Sequence, residues 1–324
     1  MIVVTGAAGF IGSNIIKGLN AIGITDILAV DDLTDGKKYR NLAVVQFRDY
    51  MDYQVFLKKI IKEDAFDADL AAIFHQGACS DTTEWNGEYM MKNNYDYAKA
   101  VLHYCLRKRI SFIYASSAAV YGGKTVFSDR DSHQLPLNIY GYSKWQFDQY
   151  VQPFLKSAQS QIAGFRYFNV YGPHENHKGK MASVAFHLMN QLESNGIVKL
   201  FSSYGGYGDG AHERDFVFID DVVKMNLWFY QHPEKSGIFN CGTGEARPFN
   251  DIANALIQLN GSGKCEYIPF PDSLKGAYQC FTRADLTALR AMGYHDAFTP
   301  LEKGLESYFQ WFHGEGVFHR TCSP

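Results

Sequence analysis

The sequence has little that would suit it to a metal, a membrane or a nucleic acid. Its six cysteines (Cys79, Cys105, Cys241, Cys265, Cys280 and Cys322) contain no C-x-x-C pair, and its 11 histidines form no H-x-x-x-H and no mixed Cys/His cluster. Such scatter supports neither a zinc site nor a disulfide framework. Apolar runs fall short of the ~18 residues that suggest a membrane helix. A net charge of -3 leaves no electrostatic case for a polyanionic partner. The chain also opens directly into a strand instead of a signal segment, which together with the unpaired cysteines implies a reducing, cytoplasmic setting. A small molecule is the expected partner.

What is present is a large apolar fraction, 46% of 324 residues. That is more chain than one hydrophobic core normally fills, so a large domain with a smaller lobe is expected. Residues 1–19 read as a short apolar strand (Ile2, Val3, Val4), a glycine turn and an amphipathic helix. Gly6, Gly9 and Gly12 stand in the spacing G-x-x-G-x-x-G, a variant of the dinucleotide fingerprint. Glycines there permit a tight turn and close approach of a pyrophosphate, while the helix N-terminus stabilises its charge.

A second apolar strand, 27–30, ends at Asp31 and Asp32, about where a ribose-binding acid is expected. The polar turn 33–41 that follows carries Lys37, Lys38 and Arg40. A carboxylate favours the free 2′-hydroxyl of NAD and a cation the 2′-phosphate of NADP, so these residues alone leave the two open. Helical spacing over 55–61 leads to an apolar strand, 70–74, running into His75, Gln76, Gly77, Ala78 and Cys79. A strand ending in small residues leaves room for a ligand at its carboxyl end. A long helical pattern over 89–106 carries Asn94, and a buried strand, 111–115, closes on Ser116 and Ser117. This alternation predicts an α/β fold with a doubly wound, Rossmann-type parallel sheet. Residues 1–170 and 214–241 are assigned to that nucleotide-binding domain, and 171–213 with 242–324 to a smaller α/β substrate domain.

The segment from Tyr140 to Lys144 opens a helix, and positions four apart share a helix face. Both side chains can therefore point over the strand ends where Ser116 and Ser117 finish. A free tyrosine titrates near ~10. A lysine cation and an oxidised nicotinamide beside it stabilise the phenolate, making a base that takes a hydroxyl proton while hydride leaves the carbon. A serine hydroxyl would bond the same substrate oxygen.

With Ala118-Ala119-Val120-Tyr121-Gly122 after the serines, these motifs resemble the extended short-chain dehydrogenase/reductases that act on nucleotide sugars. The runs His75 to Ser80, Thr82 to Trp85, Phe165 to Pro173, His177 to Gly179, Met181 to His187 and Tyr267 to Pro271 are similar to the ADP-L-glycero-D-manno-heptose 6-epimerase family. The resemblance runs nearly end to end. It implies inversion at C6 of ADP-D-glycero-D-manno-heptose through a 6-keto sugar, by hydride passing to and from bound NADP, in synthesis of lipopolysaccharide inner-core precursors. It also implies a homo-oligomer, pentameric in well-known members.

Two epimers present opposite faces of one carbon, which suggests two acid/base groups; the family pattern assigns them to Tyr140 and Lys178, with Lys144, Ser116 and Ser117 assisting. Cofactor contacts are implied at Gly6, Gly9, Phe10, Ile11, Gly12, Asp31, Asp32, Lys38, His75, Gln76, Gly77, Ala78, Cys79, Asn94, Lys144, Val170 and Lys178. Lys38 matches the position that meets the 2′-phosphate and favours NADP, with NAD as the alternative. Substrate contacts are implied at Asn169, Lys180, Ser183, His187, Phe201, Ser202, Ser203, Tyr204, Arg214 and Tyr278, with Arg214 pairing the diphosphate.

Three departures stand out: Lys180 where serine is usual, Asp32 where asparagine is frequent, and a longer glycine-rich loop over 202–213. A rival is a 4-epimerase on the same frame. A dehydratase fits poorly, because the acid pair it needs after the active-site hydroxyl is replaced by Ala118 and Ala119. A non-catalytic NADP sensor would not need Ser116, Ser117, Tyr140 and Lys144 together.

Overall fold

The computed structural model describes residues 1–63, 66, 68–124, 127–128, 134–276 and 278–320; Cys322 lies outside them. Seven parallel strands form the central sheet: β1 (Ile2–Thr5), β2 (Ile27–Asp31), β3 (Asp49–Asp52), β4 (Ala72–His75), β5 (Ser111–Ser117), β6 (Ile162–Tyr167) and, after four short strands elsewhere, β11 (Gly237–Cys241). Their order is β11-β6-β5-β4-β1-β2-β3. The chain lays down β1 to β3 in one direction, then crosses back over β1 to build outward from β4. Every residue of β1, β2, β4 and β6 is buried, as expected of parallel strands covered by helices on both faces.

One face is covered by the helices Tyr53–Lys62, Tyr97–Lys108 and Ile139–Leu155, packed around Phe56, Val101, Phe112 and Phe147. The other carries Phe10–Ala21 and Ile219–Gln231, whose core includes Ile15, Leu19, Val222 and Phe229. Gly18 lets these two helices approach closely: a Cβ there would sit 2.4 Å from Cγ1 of Val223.

Three two-stranded sheets lie outside the main one. The short strand β7 (Asn169–Tyr171) pairs with β10 (Phe216–Phe218), β8 (Ile197–Phe201) with β13 (Lys264–Ile268), and β9 (Glu213–Arg214) with β12 (Arg247–Pro248). The helices Val184–Asn195 and Phe249–Asn260 pack beside β8 and β13. Where the sequence predicts one long helix over 89–106, the structure has the helix Gly87–Met91, a π-turn at Lys92–Asp96 and the helix Tyr97–Lys108. The widened turn directs Asn94 inward, where its side chain bonds the backbone of Cys79 in both directions (2.8 and 2.9 Å) and the Ser143 hydroxyl (3.1 Å). Single π-turns of this kind occur mainly at functional sites.

Candidate active site

A cavity of about 640 Å³ opens at the carboxyl ends of the strands, beside β1 and β4. That reversal point is where open α/β sheets form their ligand crevice. Gly6 has φ +66° and lies so close to the β4 loop that a Cβ would meet the Gly77 nitrogen at 2.7 Å. A Cβ on Gly12 would stand 2.1 Å from the Gly6 carbonyl oxygen. Gly9 caps the helix Phe10–Ala21 without a side-chain acceptor, and no acidic residue sits in its first turn. The positive helix end therefore faces the cavity wall uncompensated.

At the end of β2 the Asp31 carboxylate accepts the Ala8 N–H (2.7 Å), the Asp32 N–H (2.6 Å) and the Lys38 ammonium (2.7 Å). Asp32 instead accepts from Thr34 at 2.7 Å, and the Thr34 contacts hold its carboxyl below the usual range against the cost of burial. Two buried polar atoms on the cavity wall, Nε2 of Gln76 and the Tyr97 hydroxyl, have no hydrogen-bond partner among the described residues. A glycine cradle at a helix end, a carboxylate and lysine at the far end, and unpartnered polar atoms between them fit a dinucleotide. The volume also lies within the ~300–1,000 Å³ of ordinary ligand sites.

Tyr140 occupies the first turn of the helix Ile139–Leu155, which Asn138 caps by accepting the Gly141 N–H at 2.8 Å. Gly141 allows that turn to press on the β5 end, since a Cβ would meet the Ala119 carbonyl oxygen at 2.7 Å. Burial pushes the phenol above the ordinary tyrosine value, and the neighbouring Ser117 opposes that. Lys144 lines the same cavity, but its ammonium donates to the Ala115 carbonyl at 2.9 Å. Burial pulls Lys144 down to about 8, opposed by Asp148. The bond to Ala115 uses one of the three ammonium N–H groups and seats Lys144 on the cavity wall with Tyr140.

Ser116 lines the cavity as well, with a different partner. Successive strand residues face opposite ways: Ser117 is the serine that acts on the Tyr140 phenol, while the Ser116 hydroxyl donates to buried Asp148 at 2.9 Å. Lys178 projects from the turn Asn176–Met181 onto the cavity, its ammonium 5.5 Å from the Phe10 ring centroid. Burial lowers it and Glu175 opposes the shift.

Gly6, Gly9, Phe10, Ile11, Gly12, Asp31, Asp32, Lys38, Gln76, Gly77, Ala78, Cys79, Ser116, Ser117, Tyr140, Lys144, Asn169, Val170, Lys178 and Ser183 line this one cavity. Others do not. His75 is buried behind it, bonded to the Thr5 hydroxyl at 2.8 Å and driven to about 3 by burial, hence neutral. Asn94 braces Cys79 from behind. Lys180 is exposed, and His187, Phe201, Ser202, Ser203 and Tyr204 lie off the wall.

The long loop accounts for the last four: Tyr204 stacks on Phe270 (4.0 Å, 12°) and accepts the Gly276 N–H at 2.9 Å, which turns the loop toward 270–276. Arg214 is held between Tyr278 (4.8 Å) and Phe249 (5.6 Å), and only Phe249 of the three lines the cavity. Wall residues that sequence reasoning did not single out include Tyr53, Tyr97, His177, Gln279 and Thr282. They come from separate elements and carry no local motif. Among the described residues, no group of three or more His, Cys, Asp or Glu side chains could hold a metal, and no helix is long and apolar enough to cross a membrane.

Fold and cleft thus define an enzyme frame built around a dinucleotide. The profile of the NAD dependent epimerase/dehydratase family matches residues 2–242, and the chain belongs to that family. Among solved structures it is similar to the ADP-L-glycero-D-manno-heptose-6-epimerase of Helicobacter pylori: 30% identity over 97% of this chain and 96% of that one, TM-score 0.82. It is also similar to the UDP-glucose 4-epimerase of Thermotoga maritima (25% identity, 97% and 99% covered, TM-score 0.80). The UDP-glucose 4-epimerase of Thermus thermophilus, solved with NAD, shares the fold at 23% identity, with 97% and 99% covered and a TM-score of 0.79.

Proposed function

We propose that this chain interconverts the C6 epimers of ADP-glycero-D-manno-heptose with bound NADP, in synthesis of lipopolysaccharide inner-core precursors. The observation that carries this reading is one cleft holding two groups able to exchange a hydroxyl proton: Tyr140 on a helix after β5 and Lys178 on a turn after β7. Identity of 30% to the Helicobacter pylori heptose epimerase over nearly the whole chain supports the substrate.

A bound nicotinamide would supply hydride uptake and return at C6. The Tyr140 phenolate, stabilised by the positive charges of Lys144 and an oxidised nicotinamide, would take the C6 hydroxyl proton from one epimer, leaving a 6-keto sugar once hydride has gone to the cofactor. Once the C5–C6 bond has turned the carbonyl to its other face, the Lys178 ammonium would give its own proton to the oxygen, and the proton held by Tyr140 would pass through solvent to Lys178 to close the cycle. Lys144 contributes a positive field beside the cofactor, and Arg214, between the Tyr278 and Phe249 rings, would meet the substrate diphosphate. We read the protein as a cytoplasmic homo-oligomer.

Lys38 would hold the 2′-phosphate of NADP, exchanging part of its bond to Asp31. Lys38→Ala is expected to weaken NADP by roughly 10- to 100-fold relative to NAD, the worth of one charged hydrogen bond. Fluorescence titration of both nucleotides checks this, and an equal loss for the two would assign Lys38 to the glycine loop alone.

The function is tested by incubating the protein with ADP-D-glycero-β-D-manno-heptose, without added cofactor, and following C6 by NMR. A mixture of both epimers is expected. The second reading, a 4-epimerase, is favoured by the UDP-glucose 4-epimerases that align over 97% of this chain. Conversion of UDP-glucose, with the heptose untouched after NADP and NAD are supplied, would establish it instead.

A further inference from the structure

The turn carrying Lys178 is held from beneath by a carboxylate that the proposed reaction leaves unused. Glu175 is 0% exposed. Its Oε1 accepts the Gly172 N–H (3.3 Å), the Ser183 hydroxyl (2.7 Å) and the Tyr308 hydroxyl (3.0 Å), and its Oε2 accepts the Ser183 N–H. The Glu175 carbonyl accepts the Lys178 N–H at 2.9 Å. Three segments meet on this one side chain: the end of β7, the cap of the helix Val184–Asn195, and the helix Leu301–His313. Just before it, His174 has φ +76°, a backbone that a non-glycine residue keeps only where its surroundings over-determine it.

We propose that Glu175 is a positioning residue for Lys178: it clamps the turn Asn176–Met181 between β7 and the helix Val184–Asn195 and sets a negative charge that keeps the Lys178 ammonium charged. The role in turnover rests on the acid/base reading of Lys178. Each carboxylate oxygen faces a backbone N–H, which can only donate, so the ionised form suits both. Burial pushes Glu175 up, opposed by Ser183, Lys178 and Tyr308. Glu175 and His177 on its own turn are the ionisable groups acting with Lys178, and the helix Phe10–Ala21 offers it the Phe10 ring. The helices packed against Glu175 present Ser183 and Tyr308.

Competitive acetylation with trace acetic anhydride from neutral to alkaline pH, read by peptide mass spectrometry on the full chain, reports Lys178 without any substrate. Removing the anion removes the attraction that favours the ammonium. Glu175→Gln is therefore expected to move the Lys178 labelling midpoint down by roughly 1 pH unit, with exposed Lys58 unmoved. Its kcat on the heptose should fall about tenfold or more with KM within about threefold, the signature of a lost transition-state contact. Tyr308→Phe keeps the charge and loosens the clamp, so kcat falls several-fold while the midpoint stays.

An unmoved midpoint in Glu175→Gln overturns the proposal, whatever the substrate proves to be. A kcat loss matched by lost nucleotide or a collapsed melting transition overturns it too, as a purely structural role. Should Glu175→Gln fail to fold, Tyr308→Phe decides, and an unchanged kcat refutes the clamp. Full turnover by Lys178→Met would sink the acid/base reading separately, leaving the labelling result to judge the contact itself.

Discussion

Tyr140→Phe is expected to lower kcat for heptose epimerisation by about 10²- to 10⁴-fold, the usual contribution of a positioned general acid/base, while nucleotide stays bound. Only one oxygen is removed. The ring keeps its place because Asn138 caps the helix and Gly141 seats it on Ala119, so packing changes little. What is lost is the hydroxyl beside Ser117, the group able to take the substrate proton inside the cleft. The glycine loop and Asp31 lie at the other end of the cavity and are untouched, so any nicotinamide dinucleotide released on denaturation should match the parent protein. NMR of C6 measures the first quantity and absorbance of released nucleotide the second. Parent-like epimerisation by Tyr140→Phe would remove the tyrosine from the chemistry altogether.

Asp148→Ala should destabilise the fold by about 3–5 kcal/mol, because it leaves a buried guanidinium without its counter-charge. Asp148 is 0% and Arg166 1% exposed, and they pair at 2.8 Å. The same carboxylate accepts from Tyr114 (3.0 Å) and Ser116 (2.9 Å), so its loss also orphans two hydroxyls. Arg166 keeps Tyr121 (3.0 Å) and Gln134 (3.3 Å), which are neutral. Urea denaturation gives the free energy. The double variant Asp148→Ala, Arg166→Met should recover part of the loss, since a buried pair replaced entirely costs less than one broken in half. A double variant as unstable as the single one would mean that the hydroxyl contacts, not the charge, dominate.

The parts legible in the sequence were those whose physics is local. Gly6, Gly9 and Gly12 announce themselves because only glycine suits a turn that close to another backbone, and Tyr140 and Lys144 do so because four residues make one helical turn. Strand ends were legible as apolar runs closing on small residues. What escaped reading depends on partners far along the chain. Ser116 and Ser117 are equivalent as letters, and only the strand's alternation, tied to Asp148 on a later helix, separates them. Asp148 itself extends the Tyr140–Lys144 face by one more turn, but its reason for being there is Arg166 on β6. Glu175 reads as one charge in a polar loop until Tyr308, 133 residues on, closes over it. Asn94 lay within a helical pattern that gave no sign of the π-turn, because a widened turn has no composition of its own. The loop over 202–213 looked longer than needed, and Phe270, which holds it aside through Tyr204, comes from a distant segment.

The placement of β11 beside β6 bears on how the chain is made. The two strands are joined by five register pairs from Gly237↔Ala163 to Cys241↔Tyr167, yet roughly 70 residues separate them, about 4–14 s of synthesis at ~5–20 residues/s. Throughout that interval the nascent sheet exposes the open edge of β6, an apolar strand able to pair with any neighbouring chain. A slow codon run or a cold cell would lengthen the exposure, so the yield of soluble enzyme should respond to elongation rate between β6 and β11 more than anywhere earlier in the message.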